Sequence, residues 1–560
     1  MPMTFGNLRR VRRPVYQFFG KSMTTWSLVV LAIALLILMP IGVVLSSVFV
    51  DSGEIWTHLA ETVLPTYIQN SVWLMLGVGV GVVGLGVSTA WLVTSCEFAG
   101  RRVFEWALLL PLAAPAYLLA YVYTDLLDYY GVVQTGLRTV FGWQSSTDYW
   151  FPPIRSLGGA IAMFALVLYP YVYLLTRVAF LEQSVCTLEA SRSLGCNPWT
   201  SFWKVALPLA RPAIAAGTSL ALMETLSDFG TVQYFGVETF TTGIYRTWFG
   251  MGEAAAASQL SSVLLLFILV LVLLEQWSRR QNRYYQTVHP AQHSSPYCLG
   301  LGRTVLAWAI CGLPLLLGFV VPSIALLQMA IANATDNFTD NFWIYGRNSL
   351  VLAALTALIG MILALIMAYG RRLQPTPVMN IAVRLASLGY AFPGTVIAVG
   401  ILIPIGTIDN TLDTWMQDTF GISTGLLLSG TITALVFAYL VRFLAVAFNS
   451  VESSLARIKP SFDDAARSLG YSPGRTLLHV HAPLMTSGLL TAAILMFVDV
   501  MKELPATLIV RPFNFDTLAV QVYRLASDER LAEAAAPALA IVAVGILPVV
   551  VLSWQMTRRH

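Results

Sequence analysis

Runs of about 20 predominantly apolar residues recur along this 560-residue chain, for instance at 26–50, 71–93, 254–274, 350–368 and 534–552. A helix of that length crosses a hydrocarbon core, where every backbone N–H and C=O must be satisfied inside the segment. The chain is therefore expected to be an all-α polytopic membrane protein. A membrane β-barrel would instead show short strands of alternating polarity. Charged residues make up 11% of the chain, against about 25% in a soluble domain, which excludes an ordinary soluble enzyme.

Twelve spans are expected, near 26–50, 69–95, 104–124, 157–178, 212–232, 256–276, 304–331, 346–369, 381–405, 424–447, 485–508 and 534–555. Arg9, Arg10, Arg12, Arg13 and Lys21 precede the first span, and the positive-inside rule places them in the cytoplasm. With that choice all but eight of the 33 Lys and Arg fall inside. The eight are Arg138, Arg155, Arg246, Arg347, Lys502, Arg511, Arg524 and Arg530. The bias predicts both termini in the cytoplasm and accounts for the net charge of +4 without nucleic acid. The first span is read as retained, being too long for a secretory signal. The five cysteines contain no Cys-x-x-Cys pair, and none falls in an outer loop.

The chain repeats itself. Asn70-Ser71 and Asn348-Ser349 open the second and eighth spans, and Pro115 matches Pro393 at the same offset of 278. Arg192-Ser193-Leu194-Gly195 matches Arg467-Ser468-Leu469-Gly470, and Tyr245-Arg246 matches Tyr523-Arg524. An even span count makes these parallel repeats about an axis along the membrane normal, with a pathway between them. The halves are residues 1–276 and 304–560, joined by a polar cytoplasmic linker at 277–303.

Within each half one loop carries a pattern with a physical reading. In the first, Glu189, Ala190 and Ser191 lead to Gly195, Asn197, Pro198 and later Pro208. In the second, Asp464, Ala465 and Ala466 lead to Gly470, Ser472, Pro473 and Pro483. Glycine suits the left-handed position after a helix, Asn or Ser caps a new helix, and proline fits its first turn. The later prolines are expected to end that helix. The product is a pair of helical elbows on the cytoplasmic side, suited to a two-fold partner. His479 and His481, within the second elbow, are expected to be solvated or to dock a partner.

The loop resembles the Glu-Ala-Ala loop of the permeases of binding-protein-dependent ABC importers. Ser191 and Val205 depart from that pattern in the first copy, and Asp464, Val480 and Ala482 in the second. The resemblance implies the type I importer fold in the bacterial inner membrane. It also implies a transport role without catalysis in this chain, two copies of a cytoplasmic ATP-binding subunit holding ATP and Mg, and a periplasmic binding protein. Glu189, Ala190, Gly195, Pro198, Pro208, Asp464, Ala465, Gly470, Pro473 and Pro483 would then form the coupling loops. No ATP site is expected here: Gly20-Lys21-Ser22 ends like a phosphate-binding loop, but the leading glycine position is Val15.

Ionisable residues at membrane depth mark pathways. Glu224 and Asp228 close the fifth span, and Asp499 and Glu503 close the eleventh, with Lys502 between the latter pair. Four carboxylates facing each other near the outer mouth would suit a hard cation in transit, without tight binding. The alternative is that Lys502 pairs with Asp499 or Glu503 and the acids cap helix ends. Tyr169, Tyr171 and Tyr173 would add phenol oxygens or form an interfacial belt. The segments after Glu224 and Lys502 resemble ferric iron importer permeases, which implies an iron-binding periplasmic partner. Thiamine and phosphonate systems also use fused permeases, and an ion-coupled carrier is the competing transporter class.

Overall fold

The computed structural model describes residues 25–50, 53–182, 191, 193–195, 197–280 and 297–557. Glu189, Ala190, Arg192, the N-terminal basic cluster and most of the linker lie outside them. The chain is all-α. Among the described residues, ten helices are long and apolar enough to cross a membrane, and the total is twelve if each of two bent pairs counts as one span.

The spans are named in chain order. In the first half α1 is Thr25–Ser46, α2 Leu64–Ser95, α3 Ala116–Leu127, α4 Leu157–Glu182, α5 Leu207–Ser227 and α6 Ala254–Arg280. In the second, α7 is Leu301–Ala332, α8 Asp340–Leu373, α9 Gly394–Phe420, α10 Ile432–Ala456, α11 Thr486–Met501 and α12 Leu531–Thr557. A wide surface of these helices is apolar, with Leu35, Val80 and Leu36 exposed as lipid-facing residues are.

The third and ninth expected spans are each entered through a break. The third enters through a helix at Arg101–Ala107 and a tight turn at Leu110–Ala113, and the chain bends by 88° before α3. The ninth enters through Pro377–Ala386 and a turn at Gly389–Ala391. Pro115 and Pro393 cause both breaks. Ala114 and Phe392, the residues before them, are pushed to extended backbone (ψ 125° and 133°), so no helix can run through.

The halves repeat in their hydrogen bonds as well as in their spelling. Asn70 Nδ2 donates to the Glu238 carbonyl at 2.9 Å, and Asn348 Nδ2 donates to that of Asp516 at 3.1 Å. Arg246 pairs with Glu238 as Arg524 pairs with Asp516. In each half a core of three helices packs together, α2, α4 and α5 in one and α8, α10 and α11 in the other.

The first span of each half crosses over. α1 packs on α9 and on Pro377–Ala386 of the second half, with Trp26 edge-on to Tyr369. α7 packs against α3 and the Leu110–Ala113 turn of the first half, with its Gly318 close to Pro111. The last described residues of the linker also return to the first half. Tyr297–Cys298 pairs in parallel with Cys96–Glu97 at the end of α2, and Trp308 Nε1 donates to the Ala99 carbonyl at 2.8 Å.

Candidate functional site

The fifth and eleventh spans, expected as unbroken helices, both break at their acidic residues. α5 stops at Ser227 and a short helix begins at Gly230; α11 stops at Met501 and another begins at Pro505. Each break leaves orphan N–H groups, and an acid satisfies them. Asp228 Oδ1 accepts from the Thr231 and Val232 N–H at 2.8 and 3.4 Å. Glu503 accepts from the Ala506 and Thr507 N–H at 2.9 and 3.0 Å and from Thr507 Oγ1 at 2.6 Å. Capping, one of the two alternatives posed, therefore holds for these two acids. They cap in the interior and not in solvent.

Both breaks line one cavity of ≈ 100 Å³ between the halves, where Glu224, Asp228, Asp499, Lys502 and Glu503 all meet. Its walls include Phe164, Leu168 and Tyr171 from the middle of α4, and Arg442 and Phe443 from the middle of α10. The carboxylates thus lie half-way along these helices and not at an outer mouth. Tyr169 and Tyr173 are fully buried, which overturns an interfacial belt, and Tyr173 donates to the Glu105 carbonyl at 2.8 Å. The Tyr171 and Tyr390 hydroxyls meet at 3.4 Å on the cavity wall.

Arg442 is the residue that the reading of the fifth and eleventh spans passes over. Its Nη1 donates to Glu503 Oε1 at 2.7 Å, with both side chains buried. Gly394, next after Pro393, makes room: a Cβ there would sit 2.4 Å from Arg442 Nη1 and 2.7 Å from Glu503 Oε1. The signal was present, since an arginine ten residues into the apolar run 432–448 is an intramembrane charge. Charge bias had assigned Arg442 to one side of the membrane and Lys502 to the other. Both line the same cavity. Lys502 Nζ pairs with Asp499 Oδ1 at 3.0 Å and not with Glu503. Among the described residues no Lys or Arg lies within 4.0 Å of Glu224 or Asp228, and no group of three His, Cys, Asp or Glu is placed to hold a metal ion.

The elbows occupy one end of the bundle. In the second, the helix Ser461–Ser468 closes with two hydrogen bonds, Tyr471 N–H to the Ala466 carbonyl and Gly470 N–H to that of Arg467, both 3.0 Å. These are the Schellman pair, and Gly470 sits at φ +79° as that motif requires. Ser472 Oγ then caps the helix begun by Pro473. In the first elbow Gly195 also has φ +79°, and Asn197 Oδ1 accepts from the Thr200 N–H at 2.7 Å. Leu194 and Leu469, beside these glycines, are 82% and 76% exposed, as is Asp464, whose partner is the equally exposed Arg467.

Two expectations about the elbows are corrected. Pro208 does not end a helix: Trp199–Ser227 is continuous, and a π-turn at Phe202–Ala206 absorbs the missing N–H. The matching π-turn at Leu477–His481 precedes Pro483, and there the chain does turn, by 81°, into α11. His481 is neither solvated nor free to dock. It is completely buried and its Nε2 meets Asp463 Oδ1 at 2.8 Å. Asp463 also accepts from Arg372 at the end of α8, 2.6 Å away. The first elbow has Leu188 and Ala206 at the corresponding positions and is held instead by Phe202 against Trp91 and by a Ser191–Ser201 hydrogen bond.

Residues 82–283 match the family described as the binding-protein-dependent transport system inner membrane component. A Fe(3+)-transport system permease protein of Haemophilus influenzae is 26% identical over 87% of this chain and 89% of its own length. A ferric transport system permease protein of Actinobacillus pleuropneumoniae is 25% identical over 89% of this chain and 72% of its own. A molybdenum transport system permease protein of Escherichia coli is 26% identical over 35% of this chain but 86% of its own, the size of a single half. Taken with the repeated spans, elbows and central cavity, these matches make the chain similar over residues 82–283 to the inner membrane components of binding-protein-dependent transport systems, and over most of its length to ferric transport permeases.

Proposed function

We propose that this chain is the translocating subunit of an ATP-driven importer for ferric iron, with its elbow end and both termini in the cytoplasm. The cavity carries the reading. It brings four carboxylates to the interface of the halves against two cations, and those cations are committed to Asp499 and Glu503. Glu224 and Asp228 remain as oxygen ligands for a hard cation. The names of the two long relatives, both ferric transport permeases, support iron. An oxyanion cargo would need uncommitted cations, and Arg442 and Lys502 are each paired with a carboxylate. Two copies of an ATP-binding subunit, holding ATP and Mg, would dock on the elbows through Leu194, Leu469 and Asp464. An iron-binding periplasmic protein would deliver at the opposite end.

The test is iron uptake by proteoliposomes containing the chain, its ATPase and its binding protein. Glu503 is a poor probe, because it caps a helix and balances Arg442. Glu224→Gln with Asp228→Asn keeps hydrogen-bonding shape, and Asn retains the cap. Uptake should fall roughly tenfold or more, the effect of losing about 1.4 kcal/mol of cation contact, while the ATPase still co-purifies. Undiminished uptake would sink the iron pathway. Uptake by the chain without any ATPase would instead favour an ion-coupled carrier.

A further inference from the structure

The repeat allows the cavity's charges to be compared position by position. At an offset of 275, Glu224 corresponds to Asp499 and Asp228 to Glu503. The cations break the symmetry: Val167 stands where the second half has Arg442, and Ser227 where it has Lys502. Both members of each pair line the cavity, so the correspondence holds in space. Every positive charge there comes from one half, and each neutralises a carboxylate of that half.

Arg442 is committed by Gly394 and the Glu503 cap. Its Nη1 bonds Glu503 Oε1 at 2.7 Å with both side chains buried, so the guanidinium cannot swing away. Lys502 is held less firmly. It caps α11, its carbonyl accepts from the Tyr117 hydroxyl of the other half at 3.5 Å, and its ammonium bonds Asp499 at a side-chain exposure of 29%. A flexible four-carbon stem thus places a point charge at the junction of the halves.

We infer that Lys502 is a specificity-determining residue, a tethered counter-cation that neutralises Asp499 and keeps the cavity a weak seat for the metal ion in transit. The inference rests on the cation-pathway reading proposed above. A metal ion entering the cavity meets two uncompensated carboxylates, Glu224 and Asp228, and is repelled by the ammonium beside them. Without Lys502 it would meet three. A third uncompensated carboxylate would deepen the cavity's attraction for a trivalent ion and slow its passage.

The experiment uses the full chain with its ATPase partner in lipid nanodiscs and Tb3+ as the probe. Terbium luminescence is excited through tyrosine, and Tyr117, Tyr171 and Tyr390 line the cavity. Lys502→Gln should lower the half-saturating Tb3+ concentration about tenfold, the usual effect of removing one opposite charge from a carboxylate. The same variant should slow iron uptake, so binding and transport move in opposite directions, which a merely structural role would not produce. Lys502→Arg should bind as the wild type does. Asp499→Asn with Lys502→Gln, which keeps the pair hydrogen-bonded but uncharged, should return to the wild-type half-saturation.

Lys502→Gln binding no tighter than wild type, while Glu224→Gln with Asp228→Asn abolishes the signal, would overturn the role of Lys502 and leave the cation pathway standing. The neutral double variant binding as tightly as Lys502→Gln alone would overturn it too. A Tb3+ signal indifferent to Glu224 and Asp228 would overturn the pathway itself.

Discussion

Removing Arg442 would leave Glu503 as a buried carboxylate facing an apolar helix. Breaking a buried pair from one side costs about 3–5 kcal/mol. The three remaining donors to Glu503 soften the loss, so Arg442→Met should destabilise by about 3 kcal/mol, read as a lower melting temperature of the purified complex. Arg442→Met with Glu503→Gln should recover most of it. Gly394→Ala should act like the single arginine variant, because its methyl group would lie between the paired atoms. Pro393 and Gly394 were legible in the sequence only through the match of Pro393 to Pro115 across the repeat. Their purpose was not, because Arg442 lies 48 residues away and meets Gly394 only when α9 and α10 pack.

The elbows are the elements where local chemistry dictates most of the structure. Glycine at the left-handed position, a polar cap and proline in the first turn specify the turn from within about ten residues, so both copies form it. Gly470→Val should therefore cost roughly 1–2 kcal/mol in the elbow and reduce ATPase stimulation by the loaded binding protein, measured in the reconstituted complex. What holds each elbow against the bundle is different chemistry in the two copies. Partial burial pushes the Asp463 carboxyl up, but hydrogen bonds from Arg372 and His481 outweigh that and hold it below its ordinary value. A carboxyl depressed in the folded state stabilises above its unfolded pKa of about 3.9, and the stabilisation is lost as pH falls through the lower folded value. Hydrogen-exchange protection of residues 461–484 should stay level from neutrality to about pH 5 and drop below about pH 4, after correction for intrinsic rates. Asp463→Asn should lose that protection at every pH. The first elbow, packed through Trp91 and Phe202, should show no such transition.

Across the whole molecule, α1 belongs to one half by sequence and to the other by contact. Deleting residues 1–50 should therefore loosen α9 and Pro377–Ala386 more than the α2, α4 and α5 core, which limited proteolysis of the truncated chain would read. By itself the sequence determined the helical class, the span count, the repeat and the elbows. Each depends on interactions within a segment: backbone satisfaction in lipid, apolar length, caps and turns. Only the tertiary structure decided where α1 and α7 pack, why the fifth and eleventh spans break, and which charge answers which. A break capped by an acid is stable only if other helices shield it, and Arg442, Lys502, Glu224 and Asp228 share a cavity because three separate spans, α5, α10 and α11, converge at half-height. Lys502 with Asp499 apart, such contacts join residues from 61 to 385 positions apart, and no periodicity or local motif encodes that distance.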